Sequence, residues 1–390
     1  TERTVQPMDK PTVQDIFHRF YPAYLDQYSP SPVQAKVAHN IMNCKTGAYG
    51  ANVCVCEDCG FVQIHYNSFR NRCCPMCQAV PKEMWMDARR EDVLDAPYFH
   101  LVFTVPDILN PVIYSNQRLL YDALYHAASS TISELTADPK HLGAKVGYIC
   151  ILHTWGSEMN FHPHIHTILL GGGLASNNQW KDNGENFFLP IRVISKVFRG
   201  KYLEELKRLW EEDKLVFHGI AEKFRNHYTF KELLDSCYGM DWIPHCKKTF
   251  NGAQTVIKYL GKYTHRIAVS NHRIVRMDDD TVTFLVKDYR NEGQWKELTI
   301  SGVEFVRRFL MHVPPRRFVR IRHYGLLCSR TESQKLTLCR NLLGCKKYLS
   351  KLRDMEMPEI LEHLYGIKVC VCKACGGHLG KPQMRMPLRC

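Results

Sequence analysis

Two short stretches of this chain carry residues whose types and spacing can do chemistry. They are Phe161-His162-Pro163-His164-Ile165-His166-Thr167-Ile168 and, about a hundred residues later, Tyr259-Leu260-Gly261-Lys262-Tyr263. Along an extended strand successive side chains alternate faces, so His164 and His166 project together and Ile165 turns away. Two imidazoles side by side can hold one metal ion, and a third ligand is needed to complete a site. His153 on a neighbouring strand, and His162 and Glu158 on the connecting loop, are the candidates. Such an open site leaves room for water and a phosphate oxygen, so the ion acts as Lewis acid and template. Mg2+ or Mn2+ is the expected working ion, although imidazoles also suit other transition metals.

Tyr259 and Tyr263 have helical spacing and share one face, a turn apart. Lys262 and Arg266 each stand three residues after a tyrosine, placed to orient phosphate or to lower the cost of a phenolate. A phenol with a pKa near about 10 needs such a setting to act as nucleophile. The bland alternative is a pair of hydrogen-bonded strand histidines and two core tyrosines. A divalent cation beside paired phenols instead points to tyrosine attack on phosphate.

The cysteines carry a second chemistry. Cys56-x2-Cys59 and Cys74-x2-Cys77 are separated by fourteen residues, a spacing that predicts two knuckles closing one tetrahedral zinc site, with Gly60 and Pro75 supplying the turns. Four thiolates leave no open position, so Zn2+ there serves folding rather than catalysis. His39, Cys44, Cys54 and Cys73 are candidates for a second site. Cys370, Cys372, Cys375 and Cys390, with His378 among them, contain one further Cys-x2-Cys knuckle and are candidates for a third.

The elements that must position these groups divide the chain of 390 residues into three regions. Residues 1–92 hold the cysteine cluster, 93–325 the histidines and tyrosines, and 326–390 the second cysteine group. Helices are expected over 13–28, 33–44, 111–136, 194–213, 221–234 and 253–265. A strand over 99–105 and an antiparallel hairpin of 146–152 with 164–170 are expected to carry the histidines, with regular pairing starting after Pro163 and ending at Gly171-Gly172-Gly173. The helices of about 194–250 form an α-rich insertion, and 274–300 reads as a three-stranded meander.

Apolar residues make up 45% and charged residues 23%, the balance of a folded rather than a disordered chain. A net charge of +13 suits a polyanionic partner. Arg316, Arg317, Arg320 and Arg322 are candidates for tracking phosphates, and Trp155, Phe161, Tyr289 and Tyr324 for stacking on nucleic-acid bases. No segment has the length and apolarity of a membrane span, and 1–15 lacks an apolar signal core, so a cytoplasmic protein with reduced cysteines is expected.

At these motifs the sequence resembles the rolling-circle insertion-sequence transposases with an HUH endonuclease domain, the insertion sequence 91 type. The resemblance runs through Cys56-Glu57-Asp58-Cys59-Gly60, Asn71-Arg72-Cys73-Cys74-Pro75-Met76-Cys77-Gln78, His153-Thr154-Trp155-Gly156, His162-Pro163-His164-Ile165-His166, Tyr259-Leu260-Gly261-Lys262-Tyr263, Lys287-Asp288-Tyr289-Arg290 and Arg322-His323-Tyr324-Gly325-Leu326-Leu327. It implies an α+β fold, with an HUH-type antiparallel sheet, flanking helices, the helical insertion and an N-terminal zinc-binding module. It implies His164 and His166 as metal ligands and Tyr259, with Lys262, as first nucleophile, Tyr263 being the second. The implied reaction is nicking and religation of single-stranded transposon ends and target DNA through a 5′-phosphotyrosine, with no nucleotide cofactor. Phe69 stands where relatives often have cysteine and Cys73 where they often have histidine, departures that bear on a second N-terminal zinc site. A plasmid replication initiator or relaxase would share the chemistry. A non-catalytic zinc-ribbon protein that binds nucleic acid is the alternative of another class.

Overall fold

The computed structural model describes residues 10–385 other than 70, 183–186, 188, 243, 251–255, 257–260, 262–267, 289–290 and 292. In chain order its strands are β1 (Ala51–Val55), β2 (Val62–Tyr66), β3 (Tyr98–Thr104), β4 (Lys145–Trp155), β5 (Phe161–Leu174), β6 (Trp180–Asp182), β7 (His245–Phe250), β8 (Ile274–Met277), β9 (Thr281–Asp288), β10 (Gln294–Ser301), β11 (Ile321–Gly325) and β12 (Gln383–Arg385). The fold is α+β, with antiparallel sheets and flanking helices. The largest sheet has the order β11-β4-β5-β3-β7, and β6 extends the far end of β5.

The histidine strand β5 therefore lies at the centre of this sheet, between β4 and β3, and its alternation sorts two environments. Leu101, Phe103, Leu152, Ile165 and Leu169 face one side, where they meet Tyr125 and Ile132 of the Gln117–Ala137 helix and Phe198 and Tyr202 of the Ile191–Glu211 helix. Burying each such side chain is worth about 1.5–3 kcal/mol. On the other side Tyr98, Ile149, Ile151, Ile168 and Leu170 pack with Met86, Leu94, Val256, Leu336 and Cys339. By strand parity His153, His164 and His166 belong to this second face.

A second core joins distant parts of the chain. Phe17, Phe20 and Tyr24 of the Val13–Gln27 helix and Ile41 of the Pro32–Met42 helix pack with Phe305 and Phe309 of the Gly302–Met311 helix and with Val282, Phe284 and Val286 of the meander β8-β9-β10. Trp155, at the end of β4, and Met159, in the turn to β5, are buried in the same core. Arg273 Nη2 also donates to Ser157 O at 2.6 Å, so the meander grips the tip of the histidine hairpin. Between the first two helices, Ser31 and Gln34 form a capping box with Pro32 in the first turn, which is why Ser29-Pro30-Ser31-Pro32 separates them.

Several sequence expectations are corrected by side chains that meet only in three dimensions. The glycines do not end β5, because Gly172 leaves room for the Trp180 ring, which a Cβ would approach to 2.4 Å, and β6 continues the sheet there. Pro163 lies inside β5, where the register with β4 shifts between His153 and Trp155. The expected 111–136 helix is two, Asn110–Ser115 and Gln117–Ala137. Asn116 breaks it because its side chain donates to Val112 O at 2.9 Å and Val216 O at 2.7 Å and accepts from Val216 N at 2.8 Å. Residues Gly219–Arg225 form a 3-10 turn rather than the start of a helix, and His227–Gly239 follows with Asn226 as its cap.

The last third of the chain returns to the first. In the Ala79–Arg90 helix, Asp87 accepts from Tyr348 Oη and Ser350 Oγ at 2.6 Å each and from Leu352 N at 2.9 Å. These bonds hold its carboxyl below the usual range against the opposing effect of burial. Of the expected 253–265 helix, Val256 and Gly261 are described and both are helical. A Cβ on Gly261 would lie 1.9 Å from Met86 Sδ, so Gly261 rests directly on the Ala79–Arg90 helix. Tyr259, Lys262, Tyr263 and Arg266 lie outside the described residues. No helix among the described residues is long and apolar enough to cross a membrane.

Gly325, at the end of β11, has φ +57°, and its Cβ would stand 1.9 Å from the Val146 carbonyl oxygen. Gly325→Ala is expected to lower stability by about 2–4 kcal/mol, because left-handed strain adds to a backbone clash. Chemical denaturation measures the loss, and a change under about 0.5 kcal/mol would show that β11 relaxes freely.

Candidate metal and nuclease site

β5 supplies His164 and His166, and β4 supplies His153 directly opposite His164 in the register. One ring nitrogen from each of these three buried histidines lies within 4.8 Å of the others. His164 Nδ1 lies 2.7 Å from the His162 carbonyl oxygen, so Nδ1 carries the proton and Nε2 keeps its lone pair. That Nε2 is 3.1 Å from Nε2 of His166. An ion bound about 2.1 Å from each nitrogen spans donors up to about 4.2 Å apart, so this pair fits a single cation.

His100, on β3, was missed by sequence reasoning. Its Nε2 is 2.8 Å from His166 Nδ1, and the two rings stack with centroids 5.1 Å apart. Burial, and secondarily the nearby His245, pushes the His100 pKa down to about 4, so the ring is neutral near pH 7. A neutral His100 can accept from His166 Nδ1–H, which frees His166 Nε2 for a metal. The only signal in the sequence was a lone histidine inside the apolar run Phe99-His100-Leu101.

The other proposed third ligands turn elsewhere. His162 Nδ1 is 3.2 Å from Asp107 Oδ1, and the Glu158 side chain is exposed near Lys296, 3.9 Å away. Trp155 is buried and stacks on His153 at 4.6 Å, and Tyr324 stacks on Tyr148 at 5.2 Å, so both are packed aromatics. Phe161 is half-buried, edge-on to Tyr114, and Tyr289 lies outside the described residues. Arg322 is engaged by the Asp122 carboxylate and sits 4.0 Å over the Tyr125 ring. Arg320 lines a small void with Cys73, Trp155 and His312, whereas Arg316 and Arg317 are exposed.

The cysteines are not grouped as their spacing predicts. Cys56 and Cys59 do not join Cys74 and Cys77; they meet Cys372 and Cys375, while Cys74 and Cys77 meet Cys44. The reason is the hairpin between the pairs. Cys56 and Cys59 sit at its tip, after β1, and Cys44, Cys74 and Cys77 lie beyond its base, with β2's five residues, about 17 Å, in between. Cys44 and Cys74 thiols are held above their ordinary pKa, Cys44 mainly by burial and Cys74 mainly by its contact with Cys77, a setting that a bound cation reverses. His39 is exposed against Asn43, Cys54 is buried in β1, and Cys73 packs beside Arg320. None of these three joins a metal-ligand group among the described residues. Cys370 is exposed outside the clusters, and Cys390 lies outside the described residues.

A family model described as "Putative transposase" matches residues 147–335, and one described as "Transposase zinc-binding domain" matches residues 16–105. The chain is 40% identical over 369 residues to "Putative transposase y4qJ" of Sinorhizobium fredii, covering 94% of this chain and 93% of that protein. It is 30% identical over 309 residues to the "Transposase for insertion sequence element IS801" of Pseudomonas savastanoi pv. phaseolicola, covering 78% and 72%. The chain belongs to the HUH-type rolling-circle transposases. As a transposase of this type it is an enzyme that nicks single-stranded DNA. Solved structures of the conjugative relaxase TrwC with oriT DNA are similar to the transposase at 13% identity over 65% of this chain and 95% of that one, with a TM-score of 0.26. A metal-free structure of that relaxase with oriT DNA gives 19% identity, 28% and 44% coverage and a TM-score of 0.22.

Two outcomes follow for the transposase. His100→Phe keeps the ring volume but removes the acceptor for His166, so Mn2+ affinity measured by calorimetry should fall about 10–100-fold. Unchanged affinity would leave His100 as packing only. His312 Nε2–H donates to Met159 O at 3.0 Å, and its Nδ1 accepts from Thr154 Oγ1 at 3.2 Å. Burial, aided by Arg307 and opposed by the Met159 carbonyl, lowers its pKa to about 4. The unfolded chain therefore takes up this proton first, and the stability His312 contributes is complete above about pH 6.5 and is lost as pH falls toward 4. His312→Gln should flatten the fall in denaturation free energy across that window by up to about 3 kcal/mol.

Proposed function

We propose that the transposase cleaves and rejoins single-stranded DNA at transposon ends and target through a covalent tyrosine linkage, at a cation site built by His164, His166 and His153. The observation that carries this reading is the convergence of three buried imidazoles on one face of the central sheet. Val256 and Gly261, which bracket Tyr259 in the sequence, are helical, and Val256 packs on the same face.

Mg2+ or Mn2+, when bound, supplies Lewis-acid polarisation of the scissile phosphate. His164 and His166 offer neutral nitrogen donors, His100 and the His162 carbonyl fix their ring orientations, and Trp155 shields His153 from water. Tyr259 is the first nucleophile in this reading. Its phenolic oxygen forms a bond to phosphorus, the bond from phosphorus to the 3′ oxygen breaks, and the proton lost by the phenol is balanced by the one gained at the 3′ hydroxyl. Lys262 favours the phenolate and the approach of the phosphate. The 5′-phosphotyrosine conserves the bond energy, so religation by another 3′ hydroxyl needs no nucleotide. Tyr263 would hold a second strand.

Arg266, Arg316 and Arg317, with the net charge of +13, are proposed to hold DNA through phosphate contacts. Zinc is the ion proposed for Cys44, Cys74 and Cys77, which straddle β1 and β2 inside the region matched as a zinc-binding domain, where it would serve folding.

Incubating the protein with single-stranded oligonucleotides of the element's ends and Mn2+ should give a protein–DNA adduct on denaturing gels. Tyr259→Phe/Tyr263→Phe should abolish the adduct, and the single variants should assign the first attack. His164→Ala should abolish cleavage while keeping most DNA affinity, since phosphate contacts carry the binding. Identical cleavage products from wild type and the double phenylalanine variant would sink tyrosine chemistry.

A further inference from the structure

We infer that Cys56, Cys59, Cys372 and Cys375 bind a zinc ion of their own, separate from the Cys44, Cys74 and Cys77 cluster, and that this ion fastens the two ends of the chain into one module. The ligands come from positions 313 residues apart, and the second knuckle lies beyond both regions matched by the family models.

The two knuckles are built alike. Gly60 N–H donates to Cys56 O at 3.1 Å and Gly376 N–H to Cys372 O at 2.9 Å, with φ of +71° and +77° at the two glycines. Cys56 N–H donates to Phe61 O at 2.9 Å and Cys372 N–H to Gly377 O at 2.8 Å. Each loop thus turns its two sulfurs inward by the same backbone device. The loops also bond to each other, Glu57 N–H to His378 O at 3.1 Å and Gly380 N–H to Val55 O at 2.9 Å.

The sulfur geometry then selects the ligand. Cys56 Sγ is 3.6 Å from Cys375 Sγ, and Cys59 Sγ is 3.8 Å from Cys372 Sγ. A tetrahedron with zinc–sulfur bonds of about 2.3 Å has edges of about 3.8 Å, whereas a disulfide would need about 2.05 Å. Ala374 N–H and Gly377 N–H point at the sulfurs of Cys372 and Cys375, each at 3.4 Å, and stabilise thiolate charge. Soft thiolates in a closed tetrahedral set select zinc over Mg2+ or Mn2+.

The module needs such an ion. Among the described residues its buried cluster is Cys54, Cys56, Cys372 and Leu379, and β12 meets β1 over three residue pairs. Val55, Val62, Ile64 and Tyr66 are exposed, so the sheet β12-β1-β2 buries little apolar surface. A core this small does not hold a long closed loop without a metal.

Zinc released from the purified full-length protein should measure two ions per chain. Cys372→Ser/Cys375→Ser and Cys74→Ser/Cys77→Ser should each retain one, and Cys370→Ser should retain both. In the Cys74→Ser/Cys77→Ser protein, Co2+ should still give the absorption of a tetrahedral thiolate site. Limited proteolysis of Cys372→Ser/Cys375→Ser should release a C-terminal fragment that wild type protects. Full zinc content in Cys372→Ser/Cys375→Ser would overturn the proposal. So would loss of all zinc and of the tetrahedral Co2+ bands in Cys74→Ser/Cys77→Ser, the outcome demanded by a single site of Cys56, Cys59, Cys74 and Cys77.

Discussion

Three imidazoles packed on one face of a β-sheet cannot all carry protons, and their lone pairs repel if nothing fixes which nitrogen points where. In this transposase that constraint is met from behind the rings. The His162 carbonyl accepts from Nδ1–H of His164, and a buried neutral His100 accepts from Nδ1–H of His166, so the two Nε2 atoms lie 3.1 Å apart. Each device depends on the sheet. His100 comes from β3 and His153 from β4, and only their pairing with β5 places them beside the histidine motif. Alternation then gives the opposite face of the same three strands to the apolar core, whose packing sets the spacing of the rings.

The rest of the molecule steadies this arrangement from outside the sheet. Trp155 and Met159, at the end of the histidine hairpin, are buried with the N-terminal helices and the meander, so the hairpin cannot slide without disturbing a second core. The Ala79–Arg90 helix touches Gly261 on one side and is clasped through Asp87 by residues 348–352 on the other. Regions far apart in sequence thus converge on the Ala79–Arg90 helix. The first two helices and the meander, far apart in the sequence, share one buried cluster.

Much of the chemistry was legible before folding. His164 and His166 share a face because strand period is two, and the α+β architecture followed from apolar runs and turns. His100 was not legible, since one histidine in a strand has no partner until register is known. The cysteine pairing was misread for a related reason. Knuckle spacing reports which sulfurs can turn toward a common point, but β2 carries Cys56 and Cys59 away from Cys74 and Cys77, and strand β12 brings Cys372 and Cys375 to them. Asn116 broke an expected helix through bonds to Val216, a hundred positions away.

By itself the sequence determined local turns and periodicities and offered the candidate ligands and nucleophiles, because these depend on residues within a few positions of one another. Tertiary structure alone decided which histidine stands behind His166, which strand supplies His153 and which cysteines share a cluster. Those choices rest on strand register and on contacts between segments up to about three hundred residues apart, where no local spacing rule reaches.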